Sequence, residues 1–159
     1  MPKLAILLGV SDYQKQPLLP AARNDAALLH SVLRASGNYE EILLIPPDQT
    51  ASETVKRQLS SFVQKHKTRS DIEEVFFFFS GHGQYIDDEF YYVLSDYEDV
   101  RRNKTSLKNS ELDGFLRTLR PTLAVKLVDA CNAGIQYVKD IGNLNAVIEK
   151  GAKEAFQKI

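Results

Sequence analysis

The run Glu74-Val75-Phe76-Phe77-Phe78-Phe79-Ser80-Gly81-His82-Gly83 organises the reading of this chain. Four consecutive phenylalanines cannot alternate between core and solvent, so residues 74–79 read as a central strand buried on both faces. Residues 123–129 form a second core strand after Pro121 and lead into Asp129-Ala130-Cys131-Asn132-Ala133-Gly134. Each run delivers one reactive side chain to its carboxyl end, His82 in the first and Cys131 in the second. Further out, residues 3–10 are a near-continuous apolar strand, and residues 41–45 are another, closed by Pro46-Pro47.

Helical patterns separate these strands. Ala22, Ala26, Leu29 and Leu33 make a stripe over residues 21–36, with Gly37 as the stop. Residues 50–66 read as a second helix, with Thr50 or Ser52 as N-cap and Glu53 in the first turn. Residues 110–119 read as a third, capped by Ser110, and residues 143–159 as an amphipathic fourth. Residues 85–96 predict a β-hairpin at the sheet rim, its tip the solvated Asp87-Asp88-Glu89. Residues 99–108 are charged and read as an exposed loop. Alternating strands and helices imply an α/β fold, a mainly parallel sheet with helices on both faces. Residues 3–10 and 74–79 are the most apolar runs and should be central, which predicts the spatial order 41–45, 3–10, 74–79, 123–129. In such sheets the ligand site lies outside the carboxyl ends of the strands. Val10-Ser11-Asp12, Gly81-His82-Gly83 and Asp129-Ala130-Cys131 all lie there.

With 159 residues, 43% of them apolar and 26% charged, the chain reads as one globular domain. A net charge of −1 gives no general attraction to nucleic acid or anionic membranes. Cys131 is the one cysteine, so no internal disulfide can form and a reducing compartment fits. No apolar run approaches the roughly 20 residues of a membrane helix, and residues 4–10 are too short for a signal peptide. The expected location is the cytoplasm.

The paired strand ends carry the chemistry. A free cysteine is mostly thiol at neutral pH, and its thiolate is the nucleophile. A nearby imidazole can take the proton and later protonate a leaving amine. Gly81 and Gly83 would let the chain turn sharply at His82 and let a substrate backbone come close. The Gly83 and Cys131 N–H groups could then form an oxyanion hole. Taken singly, Cys131 could be a buried structural thiol and His82 a turn residue satisfied by backbone. Placed together at neighbouring strand ends and flanked by glycines, they favour a nucleophile and its base. His30 and His66 fall inside expected helices and read as surface or interface residues.

On these motifs the chain resembles the caspase-like cysteine peptidases, most closely the bacterial and metacaspase-type members of peptidase family C14. Ser80-Gly81-His82-Gly83 and Asp129-Ala130-Cys131-Asn132-Ala133-Gly134 match the family's histidine and cysteine motifs. His82 stands about 50 positions ahead of Cys131, the spacing known for caspases. Residues 4–13 and Leu19-Pro20-Ala21-Ala22-Arg23-Asn24-Asp25-Ala26 match the family's first strand and first helix, so the similarity spans residues 3–140. The resemblance implies a caspase-like three-layer sandwich, a His82–Cys131 dyad acting through a thioester acyl-enzyme, and an oxyanion hole that includes Gly83. Ala133 stands where the family usually has serine. The last two strands of the family's sheet lie beyond the cysteine strand, and the short stretch after Cys131 looks helical. The chain therefore resembles a large-subunit portion, residues 1–159, with residues 143–159 a helix or a linker. A small subunit or C-terminal remainder would complete the sheet, and a sensor or regulatory domain could be fused or associated.

Specificity follows from the same resemblance. Aspartate-selective relatives carry an arginine where Leu19 stands. Metacaspase-like members place acids at the positions of Asp25 and Asp129 and select arginine or lysine before the cut. Asp129 lies two residues before Cys131, hence on the same strand face, and Asp12 is a weaker third candidate. In the plainer reading Asp25 is a helix N-terminal acid and Asp129 a turn former. No cofactor is required and no metal site is expected; calcium at Asp87-Asp88-Glu89 has slight support. Two rival functions remain at this point. A catalytically silent adaptor would keep the fold without the chemistry, and a flavodoxin-like binding module would need a phosphate loop that Gly9-Val10-Ser11-Asp12 does not supply.

Overall fold

The computed structural model describes residues 2–131, with the backbone alone at residue 131. The expected helix over 143–159 and the motif residues Asn132, Ala133 and Gly134 lie outside the described residues. In chain order the elements are β1 (Lys3–Gly9), α1 (Pro20–Ser36), β2 (Glu41–Leu44), α2 (Ser52–His66), β3 (Glu74–Ile86) and β4 (Glu89–Val93). A 3-10 turn (Asp99–Arg101), α3 (Arg102–Thr105), β5 (Ser106–Lys108), α4 (Asn109–Thr118) and β6 (Leu123–Cys131) follow.

The strands β2, β1, β3 and β6 lie side by side and parallel. This is the order expected from the apolar runs, with β1 and β3 inside. Alternation along each strand divides the core into two layers. Leu4, Ile6, Leu8, Val75, Phe77 and Phe79 pack on one face with Val55, Leu59 and Phe62 of α2 and Leu112 and Leu116 of α4. Ala5, Leu7, Phe76, Phe78 and Leu127 pack on the other with Ala26, Leu29 and Leu33 of α1. The four phenylalanines therefore serve both layers. Phe77 and Phe79 also enclose the buried Tyr92 of β4, at ring separations of 5.6 and 4.9 Å, and Phe90 joins them at 4.9 Å. Burial of each such ring contributes roughly 1.5–3 kcal/mol.

Four local expectations are corrected by tertiary contacts. First, the third strand does not end at Phe79, and no turn forms at His82. β3 stays extended because β6 pairs along it as far as His82 opposite Cys131, and β4 then pairs with Gly83–Ile86. Ladder bonds from both partners outweigh the poor strand propensity of the glycines. Second, the hairpin turns on Asp87 and Asp88 alone, with φ of 50° and 63°, the pair of positive values that a tight two-residue hairpin demands. Glu89 is not part of a solvated tip; it starts β4 and accepts a hydrogen bond from the Ser110 N–H at 2.8 Å.

Third, residues 99–108 are not a loop. Ser106 and Leu107 are fully buried and pair with Val93 and Tyr92 of β4, while Val100 stays exposed. Fourth, neither expected cap serves its helix. Ala51 precedes α2, and Asp96 comes from a distant loop to accept from both the Ser52 N–H (2.8 Å) and the Ser52 hydroxyl (2.6 Å). Ser110 is the second residue of α4 rather than its cap. Under α4, the buried Lys126 of β6 donates to Asp113 at 2.6 Å and to Asn109 at 3.0 Å, the partners a buried ammonium requires.

Candidate active site

The carboxyl end of the sheet brings together three chain segments. His82 of β3 and residue 131 of β6 are register partners, as are Ser80 and Asp129. Adjacent strands lie about 4.8 Å apart, so the two motifs are backbone neighbours. The third segment is the loop of residues 11–19 that follows β1. It is stapled at its base, where the Leu19 N–H donates to the Ser11 carbonyl at 2.9 Å. The buried Ser11 hydroxyl oxygen also accepts the Arg23 N–H of α1 at 2.8 Å. Farther along, the Gln14 N–H donates to the Ser95 carbonyl at 2.9 Å.

This loop holds His82. The Pro17 carbonyl lies 2.8 Å from His82 Nε2. A carbonyl can only accept, so Nε2 carries the proton in this contact and Nδ1 is the basic nitrogen of the neutral ring. The Tyr13 ring packs on the imidazole with 4.7 Å between centroids, and the Tyr13 hydroxyl accepts the His82 backbone N–H at 2.8 Å. Neither Tyr13 nor Pro17 stood out in the sequence as a site residue. The available signal for Tyr13 was its place: an aromatic with a polar tip, just after a core strand whose carboxyl end faces the site.

The glycines around His82 have a packing role in place of the expected turning role. A Cβ on Gly81 would come within 2.7 Å of the Tyr13 hydroxyl oxygen and 2.8 Å of the Phe79 ring. A Cβ on Gly83 would come within 2.5 Å of the Phe90 ring and 3.1 Å of Ala130. The direction of the Gly83 N–H follows from the ladder. The Ser80 carbonyl accepts from Val10 just past β1, and the His82 N–H points to Tyr13 on the same side. Even-numbered residues of β3 thus address the β1 side there, and the odd-numbered Gly83 points its N–H to the side that carries β6 and residue 131.

The three acidic candidates are placed differently. Asp129 is exposed near the end of β6, one strand away from Ser80. Asp25 is half-buried on α1, next to Ala26, which packs on the sheet. It is the sixth residue of a helix that starts at Pro20, beyond the first turn, which removes the plainer reading of a helix N-terminal acid. Asp12 is exposed, 3.8 Å from Arg23. It lines a pocket of about 260 Å³ with Tyr13, Gln14, Pro47, Asp48, Thr50 and Ser95.

Away from His82, Lys15 on the same loop donates to Glu98 at 2.6 Å, and Arg101 donates to it at 2.7 Å. These bonds hold the Glu98 carboxyl down to about 2. Among the described residues no group of three or more His, Cys, Asp or Glu side chains could hold a metal ion. No helix among them is long and apolar enough to cross a membrane.

Comparison with known proteins gives a family and a fold neighbour. The family model of the Peptidase C14 caspase domain matches residues 2–156. No curated protein matches the sequence. Among solved structures, a crystal structure of a Geobacter sulfurreducens protein superposes with a TM-score of 0.61 at 16% identity. The match covers 88% of this chain and 54% of the Geobacter chain, so this chain spans about half the length of that neighbour.

Proposed function

The chain belongs to the caspase domain family, and from that premise we propose that it is a cysteine endopeptidase whose dyad is His82 and Cys131. The observation that carries the proposal is the register of β3 and β6, which sets His82 opposite Cys131 on neighbouring parallel strands. In this reading Nδ1 of His82 takes the thiol proton, while Nε2 is already committed to the Pro17 carbonyl. The thiolate attacks the peptide carbonyl carbon, a C–S bond forms, and the carbonyl oxygen becomes an oxyanion. The Gly83 N–H and the Cys131 N–H would stabilise that charge, donors typically worth about 3–4 kcal/mol each. The tetrahedral intermediate collapses, the C–N bond breaks, and the imidazolium returns the proton to the leaving amine. Water, activated by the same imidazole, then hydrolyses the thioester. This chemistry needs no cofactor.

Asp25 and Asp129 are proposed to select a basic residue before the scissile bond, with Asp12 a peripheral member already drawn to Arg23. Two carboxylates sharing a pocket repel each other unless a cation lies between them. A guanidinium suits that place better than an ammonium, because its planar fork pairs with a carboxylate in bidentate fashion. The substrate is a protein or peptide. A small subunit or C-terminal remainder is the proposed completing partner, since among the described residues β6 pairs with β3 alone and presents an open edge.

The test is cleavage of matched fluorogenic peptides that differ only in the residue before the cut, by the natural full-length protein and its Cys131→Ala variant. Arginine and lysine peptides should be cut and the aspartate peptide refused, with cleavage abolished by Cys131→Ala. Retention of more than a few per cent of activity in the variant would overturn the cysteine-peptidase reading. No cleavage by either protein, with Cys131 alkylated no faster than a free cysteine, would favour a silent adaptor. Faster turnover of the aspartate peptide would overturn the acidic pocket and leave the dyad standing.

A further inference from the structure

We infer that Tyr13 is a positioning residue for His82, its hydroxyl inserted as a rung between β3 and β4; the inference rests on the dyad reading above. Antiparallel strands exchange hydrogen bonds at every second residue pair. The two-residue turn is closed by Ile86 and Glu89, so bonded pairs fall at Ile86, at Gln84 opposite Tyr91, and next at His82 opposite Val93. The β3–β4 pairing stops one short of that last pair, at Gly83 opposite Tyr92. The Tyr13 hydroxyl occupies the gap. It accepts the His82 N–H at 2.8 Å and donates to the Val93 carbonyl at 3.1 Å.

Several features fit this insertion. Tyr13 is 7% exposed and Val93 1%, so bulk water is kept from the rung. Gly81 leaves the space the hydroxyl needs, since a Cβ there would approach it to 2.7 Å. The loop carrying Tyr13 is anchored on both sides of it, through Ser11 and Gln14. The phenol ring supports one side of the imidazole and the Pro17 carbonyl holds its far nitrogen. Without the hydroxyl, the His82 N–H and the Val93 carbonyl could close their rung directly. That would draw His82 toward β4, the side of β3 away from β6 and Cys131. Displacements on the order of 1 Å at a reacting group can cost up to about 100-fold in rate.

The experiment compares wild type, Tyr13→Phe and His82→Ala in the natural full-length protein. It measures peptide turnover and the pH dependence of Cys131 alkylation by iodoacetamide. Tyr13→Phe keeps the ring and removes the rung. It should lower kcat about 10- to 100-fold with little change in KM, and move the alkylation profile toward that of His82→Ala. A merely structural role would change the amount of folded protein and leave the profile alone. If Tyr13→Phe does not fold, Gly81→Ala displaces the hydroxyl from the other side and should shift the profile in the same direction. An unshifted profile with wild-type kcat in whichever of these variants folds would overturn the inference while His82→Ala still shifts. A profile that His82→Ala itself leaves unchanged would overturn the dyad reading, and the inference with it.

Discussion

The two halves of β3 solve opposite problems on one strand. From Glu74 to Phe79 the strand is flanked by β1 and β6 and buries large rings in both layers of the core. Past Ser80 it loses β1, from Gly83 to Ile86 it gains β4, and it carries glycines on both sides of His82. The first half is held mainly by apolar area, which is non-directional and tolerant of detail. The second is held by directional contacts from a loop about 70 positions away in sequence, reaching His82 through Tyr13 and Pro17. Fold and candidate chemistry are thereby separated along a single element, and substitutions in the two halves should have different signatures.

The largest expected effect sets these signatures side by side. His82→Ala should lower kcat/KM by about 10²–10⁴-fold, the range for losing a general base, and leave the urea midpoint nearly unchanged. Phe77→Ala should do the reverse. Phe77 is fully buried against Tyr92, and such truncations cost about 3–5 kcal/mol. Equal stability losses in the two variants would break the division proposed for β3.

A smaller effect probes the boundary between the halves. Gly83→Ala places a Cβ against the Phe90 ring and Ala130, which should destabilise by about 1–3 kcal/mol through overpacking. Activity should fall as well, because the Gly83 N–H is displaced from its direction toward β6. Denaturant titration and peptide turnover on the same preparation check both. A variant with wild-type stability would mean that Phe90 yields easily and that the glycine is there for another reason.

The smallest effect concerns the loop. Glu98 is held down to about 2 by Lys15 and Arg101. Its folded carboxyl is depressed below its unfolded value, so the resulting stability is present above about pH 4.5. It is lost as the pH falls through about 2. Lys15→Ala should therefore lower stability slightly at neutral pH and leave it unchanged below about pH 2, which flattens the pH dependence between these limits. Lys15 is exposed and Glu98 partly so, so the gain is weak, and a steeper acid transition in the variant would contradict the assignment.

Most of the fold was legible because its strands are contiguous apolar runs. Residues 3–10 and 74–79 announce their central places by having no polar face, and α1 by its stripe of Ala22, Ala26, Leu29 and Leu33. That His82 and residue 131 lie near each other was legible from their places just past two apolar runs, although His82 proves to lie within β3 and not at its end. The continuation of β3 through Ser80-Gly81-His82-Gly83 was not, since in isolation that sequence favours a turn and only pairing with β6 and β4 keeps it extended. The burial of Ser106 and Leu107 was likewise hidden among charges until β4 supplied a partner.

Local composition thus determined which segments are strands or helices and which side chains could react, because hydrophobic period and functional-group chemistry are properties of the chain itself. Tertiary structure decided how His82 is held. The Pro17 carbonyl and the Tyr13 hydroxyl are ordinary groups that matter only through distance and direction. Those are set when β1 and its loop dock beside β3, at separations of 65 and 69 residues along the chain.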